Sequence, residues 1–154
     1  MTTALDSLAP DFSAPATSET TFQLSSLRGK HVVLFFYPKD GTPGCTTESL
    51  SFRDHQPAFE KANAVIVGLS RDSLRSHENF KAKLELPYEL VSDGDEAVCM
   101  LYGVIKQKKM YGRDVRGIER STFVIDSKGV LRHEWRGVKV PNHVEDVLAT
   151  VQAL

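Results

Sequence analysis

His31-Val32-Val33-Leu34-Phe35-Phe36-Tyr37, followed by Pro38-Lys39-Asp40-Gly41-Thr42-Pro43-Gly44-Cys45, is the stretch on which the fold turns. Its first seven residues are a continuous apolar, β-rich run, the pattern of a central strand covered on both faces. The next eight close that strand and deliver one cysteine to the start of a helix. Thr42 is a good N-cap, and Pro43 suits the first helical position, where its missing N–H would have gone unpaired anyway. Cys45 then falls in the first turn. Orphan backbone N–H groups and the positive end of the helix dipole favour a thiolate over a thiol there.

Outward from this core, the helix is expected to run from residue 42 to about 62, with Pro57 kinking it or forcing a restart near His55. Residues 64–70 read as a second buried strand. Asp72 or Ser73 caps a helix whose Leu74, Phe80 and Leu84 share a face, and residues 88–91 make a third strand. Asp93-Gly94-Asp95 starts a short helix that Gly103 stops. Residues 121–126 form a fourth strand, turned by Ser127-Lys128-Gly129 into 130–135 as a hairpin. Pro141 is expected to open a terminal helix with Val144, Val147, Leu148 and Val151 on one face. Residues 8–30, rich in Ser, Thr and Pro, read as an irregular or short-stranded lead-in anchored by Phe12, Phe22 and Leu24. Strands alternating with helices, with one late hairpin, predict an α/β domain over residues 1–154, its mixed central sheet flanked by helices behind an N-terminal extension.

With 41% apolar and 25% charged residues and a formal net charge of −1, nothing pulls the chain as a whole toward nucleic acid or membrane. No apolar run approaches a membrane span, and the first residues show neither a basic nor an apolar leader segment, so a cytoplasmic protein is expected. Cys45 and Cys99 are too few for a disulfide framework or a zinc knuckle, and neither sits in Cys-x-x-Cys. His31, His55, His77, His133 and His143 include no pair at i, i+3 or i, i+4. Neither a metal nor a cofactor is expected. Lys106, Lys108, Lys109, Arg113, Arg116 and Arg120 outnumber Asp114 and Glu119 in one segment, which reads as a solvated loop; only Tyr111 offers the aromatic platform a nucleic-acid surface needs.

Ala9-Pro10-Asp11-Phe12, Phe36-Tyr37-Pro38-Lys39-Asp40-x-Thr42-Pro43-Gly44-Cys45-Thr46 and Gly117-Ile118-Glu119-Arg120-Ser121-Thr122-Phe123-Val124-Ile125-Asp126 stand together in an order that resembles the peroxiredoxins of the bacterioferritin-comigratory, or Q-type, subfamily. Pro38, Thr42 and Cys45 match that family's Pro-x-x-x-Thr-x-x-Cys hallmark. The resemblance implies a thioredoxin-like fold and a peroxidatic cysteine acting on hydrogen peroxide and organic hydroperoxides. It also selects Arg120 as the guanidinium of the site and gives Pro38 the role of shaping the pocket over the sulfur.

The residue types suit that reaction. A thiolate attacking one oxygen of ROOH in line with the O–O bond needs an ionised sulfur and donors for both peroxide oxygens. Lowering any thiol from a pKa of ~8.5 to ~6 raises its ionised fraction at neutral pH only about 30-fold. The rest must come from donors such as the Thr42 hydroxyl, loop N–H groups and a guanidinium, for which only Arg has a planar fork that reaches sulfur and oxygen together. Thr42 can at the same time serve as an N-cap. Glu48, one turn after Cys45, is placed to orient Arg120 or Arg53, or to favour the helix N-terminus.

The chain departs from the family at Leu50, where many Q-type members carry a resolving cysteine five positions after the first. Cys99 lies in the apolar stretch Ala97-Val98-Cys99-Met100-Leu101 and reads as a core residue. The expectation is a one-cysteine mechanism in a monomer, with a small thiol or a thioredoxin-type protein as reductant; Cys99 as the resolving residue, with thioredoxin, is the alternative. A thiol–disulfide oxidoreductase lacks its second thiol here, and a cysteine phosphatase lacks its arginine, since position 51 is Ser. A peroxide sensor or holdase would stop after one equivalent of peroxide, where an enzyme would turn over.

Overall fold

The computed structural model describes residues 3–154. Their strands are β1 (Ser13–Ala16), β2 (Thr20–Gln23), β3 (His31–Phe36), β4 (Ala64–Ser70), β5 (Glu89–Ser92), β6 (Ile105–Met110), β7 (Arg113–Ile118), β8 (Ser121–Ile125) and β9 (Leu131–Arg136). The helices are α1 (Pro43–Lys61), α2 (Leu74–Leu84), α3 (Ala97–Leu101) and α4 (His143–Gln152). Seven strands form one mixed sheet in the order β2-β1-β5-β4-β3-β8-β9. β3, β4 and β5 run parallel at its centre, with α1 and α2 as crossovers, and β8 and β9 extend it antiparallel. The lead-in supplies the β1–β2 hairpin, which pairs onto β5.

The apolar run of β3 divides by alternation, as a strand buried on both faces must. Val32, Leu34 and Phe36 pack with Cys99, Tyr102 and Phe123 in one core. Val33, Phe35 and Tyr37 pack with Cys45, Phe52 and Val147 in the other. Phe35 stacks on Phe52 with ring centroids 4.5 Å apart, which ties α1 to the sheet. Gly68 makes this possible: a Cβ there would lie 2.9 Å from Phe35 Cζ and 2.7 Å from Leu90 Cδ2.

Four expectations change. Helix α1 is continuous through Pro57 and does not restart, because buried Phe52 and Phe59 hold the turns on either side of it against the core. Pro141 lies two residues outside α4, whose N-cap is Asn142 in the left-handed region that Asn tolerates. Leu74 is exposed, and it is His77, not Leu74, that is buried with Phe80 on α2. The basic segment after Val104 is a two-stranded hairpin, β6–β7, not a loop. Its turn residues Tyr111 and Gly112 both have positive φ, the two-residue geometry whose twist suits a hairpin. Arg116 and Arg71 both grip Glu96, at 2.6 and 2.9 Å, and fasten the hairpin to the domain. Among the described residues no helix is long and apolar enough to cross a membrane.

Candidate active site

The β3–β8 pairing brings the site together. Phe36 is in register with Ser121, so Arg120 emerges beside the loop that follows β3 and leads into α1. Cys45 sits in the first turn of α1, fully buried. Arg120 Nη2 lies 3.4 Å from Cys45 Sγ, and Nη1 donates to Glu48 Oε1 at 2.8 Å. Gly44 gives the guanidinium its passage, since a Cβ at that position would stand 3.1 Å from Arg120 Nη2. The N–H groups of Gly44 and Cys45, in the first turn, have no intrahelical carbonyl to meet and are available to an incoming oxygen.

Glu48 pairs with Arg120 and not with Arg53, which binds the Leu84 carbonyl and Asp54 instead. The Glu48 side chain is 0% exposed and that of Arg120 is 16%. Burial pushes the Glu48 carboxyl up to about 7, although the Arg120 charge pulls the other way. Its second oxygen, Oε2, is buried without a hydrogen-bond partner. For Arg120, burial opposes the charge, but Glu48 more than offsets it and the guanidinium is held above its ordinary value.

Thr42 does precede the helix as its N-cap, but its hydroxyl does not bond to the first turn. Thr42 Oγ1 donates to the Lys39 carbonyl at 2.9 Å, which closes the loop on itself. Pro38 is exposed in that loop. Cys99 is buried in the core on the opposite side of the sheet from Cys45, and its backbone N–H donates to Asp93 Oδ2 at 2.7 Å. Burial, reinforced by the Asp93 carboxylate, pushes the Cys99 thiol well up.

Two parts of the neighbourhood escaped sequence reasoning. His143, buried at the start of α4, meets Thr122 Oγ1 at 2.8 Å through Nε2, and burial pulls it down to about 4. It therefore adds no second positive charge near Arg120. The other is a polar network behind the loop, built on Tyr37, Asp40, Asp72 and His77. The one signal for it was the position of His77, three residues before Phe80 on the buried side of α2. Among the described residues, Asp40, Asp72 and His77 are the side chains that come close enough together to suggest a cation. Both Asp40 oxygens and both His77 ring nitrogens are already engaged by protein groups, so the trio is part of an internal hydrogen-bond network.

A cleft of about 360 Å³ opens beside Gly44, lined in part by Pro43, Thr47, Val140 and Pro141. A larger one, about 480 Å³, lies elsewhere, among Phe22, Val65 and Tyr88.

Residues 5–134 match the model of the AhpC/TSA family. The chain belongs to the AhpC/TSA family. It is a peroxiredoxin, a thiol-dependent peroxidase, and its sheet and helices form the thioredoxin-like peroxiredoxin fold. Peroxiredoxin Bcp of Xanthomonas campestris pv. campestris is 52% identical over 134 residues, covering 87% of this chain and 84% of that one. Peroxiredoxin Bcp of Bacillus subtilis is 45% identical over 152 residues, covering 99% and 97%. A solved structure of the Xanthomonas campestris bacterioferritin comigratory protein, described for its alkyl peroxide reduction activity as a trapped intermediate/ligand complex, superposes with a TM-score of 0.89. It is 48% identical and covers 92% of this peroxiredoxin and 90% of its own chain.

Proposed function

We propose that Cys45 is the peroxidatic residue of this peroxiredoxin and that it works by a one-cysteine mechanism on hydrogen peroxide and organic hydroperoxides. The observation that carries the reading is the Arg120 fork, which meets Cys45 Sγ with one nitrogen and is held by Glu48 through the other. The thiolate attacks the terminal oxygen of ROOH. The S–O bond forms as the O–O bond breaks, and the electron pair leaves on RO⁻, which takes a proton to become ROH. Arg120 and the free first-turn N–H groups are aimed where negative charge shifts between sulfur and oxygen. Pro38 and Thr42 act through the loop: Pro38 turns the chain out of β3, and Thr42 fixes the last residues before the helix. The organic part of a hydroperoxide has the cleft beside Gly44 to occupy. The activity named for the Xanthomonas campestris relative supports the same substrate class.

A thiol of the reductant, a small thiol or a thioredoxin-type protein, then attacks the Cys45 sulfenic acid and releases water. A second thiol splits the mixed disulfide, which restores Cys45 and leaves the reductant oxidised. Leu50 excludes a local disulfide, and Cys99 lies across the sheet with its thiol form favoured. One chain supplies Cys45, Arg120 and Glu48, which favours action as a monomer, and two free thiols suit a reducing compartment such as the cytoplasm.

The test is intact mass and peptide mapping after one equivalent of hydrogen peroxide, with turnover by Cys45→Ser and Cys99→Ser. One added oxygen on Cys45 with Cys99 free, an inert Cys45→Ser and a fully active Cys99→Ser are expected. A Cys45–Cys99 disulfide would overturn the one-cysteine mechanism, and turnover by Cys45→Ser would overturn the site.

A further inference from the structure

His77 is completely buried on α2 and faces the loop that carries the cysteine. Its Nδ1 lies 2.7 Å from Asp40 Oδ2, and its Nε2 lies 3.0 Å from the Val91 carbonyl. Both partners only accept hydrogen bonds. A neutral imidazole has one N–H and could satisfy one of them, whereas the doubly protonated ring satisfies both. The remaining neighbour of Nε2, Ser70 Oγ at 3.5 Å, spends its proton on Asp72 Oδ2 at 2.5 Å and cannot replace the missing donor. Asp40 is a fitting counter-ion. Its side chain is 6% exposed, and it also accepts from Tyr37 Oη at 2.6 Å and Ser76 Oγ at 2.8 Å. Burial pushes its carboxyl up, but the hydrogen bonds from His77, Tyr37 and Ser76 outweigh it and hold the carboxyl below the usual range. The Asp40 backbone N–H is fixed in turn by Asp72 Oδ2 at 2.9 Å. Asp40 thus sits at the middle of residues 38–42, tied to the residue that follows β3 through Tyr37, to the β4–α2 junction through Asp72 and to α2 through His77.

We propose that His77 is a positioning residue: a buried imidazolium whose ion pair with Asp40 latches the 38–42 loop and so holds the first turn of α1, with Cys45, in its closed geometry. The proposal rests on the reading of Cys45 as the reacting thiol. His77 touches neither sulfur nor peroxide. It acts through Asp40 on a segment whose opening the reductant requires, because a fully buried sulfur cannot be attacked by an external thiol until the first turn gives way. The charge on His77 therefore sets how often Cys45 opens.

The first measurement is the ring ¹⁵N spectrum of His77 in the intact protein at pH 7, assigned with His77→Gln. Two protonated nitrogens are expected; one bare nitrogen overturns the proposal. The second is the rate at which iodoacetamide alkylates Cys45. His77→Gln keeps a donor for the Val91 carbonyl but removes the cation, and alkylation should speed up about tenfold, the range expected for loss of one charge-assisted hydrogen bond. Asp40→Asn should reproduce it, and the double variant should go no further than either alone, because the two act as a unit. Unchanged alkylation in His77→Gln, or additive effects, would overturn the latch. Alkylation does not depend on peroxide turnover, so a failure of the latch is distinguishable from a failure of the peroxidase reading, which Cys45→Ser tests.

Discussion

Replacing Arg120 by Ala separates what the guanidinium does for chemistry from what it does for the fold. The Glu48 carboxyl beside it stands at about 7, so at pH 7 about half the molecules carry it ionised. Ionisation next to Arg120 lowers the native state relative to its own protonated form, by well under ~1 kcal/mol at pH 7 and by roughly 3 kcal/mol at pH 9. Without Arg120, a fully buried Glu48 has no counter-charge and keeps its proton, so the variant forgoes that contribution. Its stability deficit is then the lost hydrogen bond and packing, about 1–2 kcal/mol, plus a part that grows by about 1.4 kcal/mol for each pH unit above 7. The rate with hydrogen peroxide should fall ~100- to 1,000-fold at every pH, the usual consequence of removing one preorganised donor. Urea denaturation of both proteins from pH 6 to 9, with stopped-flow peroxide kinetics on the same samples, measures both effects. A deficit that stays flat across that range would refute the account of Glu48, and an unchanged peroxide rate would remove Arg120 from the site.

Glu48→Gln tests the same carboxyl from the other side. Because folding raises its pKa from 4.5 to about 7, the native state binds a proton that the unfolded chain has released, and wild-type stability should fall as pH rises through that window, by on the order of 3 kcal/mol. Urea midpoints of the Gln variant should lack that slope; a slope equal to wild type would assign it to other groups. Gly44→Ala should displace the Arg120 fork, from which its Cβ would stand 3.1 Å, and slow peroxide reduction about tenfold, with the thermal midpoint little changed. Gly68→Ala, whose Cβ would meet Leu90 and Phe35 inside 3.0 Å, should cost about 1–3 kcal/mol in denaturation experiments through overpacking.

Much of this was legible in the chain because the governing interactions are local. The run at residues 31–37 announced a doubly covered strand, and Thr42-Pro43 announced the helix that presents Cys45. Arg120 was not legible from physics alone. It stands 75 positions from Cys45, and only the pairing of Phe36 with Ser121 brings it to the sulfur, so family resemblance had to supply it. The β6–β7 hairpin was missed because half of its strand residues are charged. Its stability rests on a two-residue turn and on Glu96, not on apolar alternation. Pro57 misled because a general helix rule ignores the burial of Phe52 and Phe59 on its flanks. The choice of partner for Glu48 needed three dimensions: Arg53 is far nearer in sequence than Arg120, which stands 72 positions away, but Arg53 reaches Leu84 and Asp54 instead.

The alternation of β3 has a practical consequence. By dividing the interior into two cores it gives each cysteine a separate compartment, one ending at the cysteine loop and the other sealed beneath α3. A reagent that reads one thiol does not thereby read the other. Cys99 is a built-in control for each titration of Cys45: it stays silent to thiol reagents while it is buried, and a preparation in which it is labelled without denaturant has lost its fold, not merely its redox state.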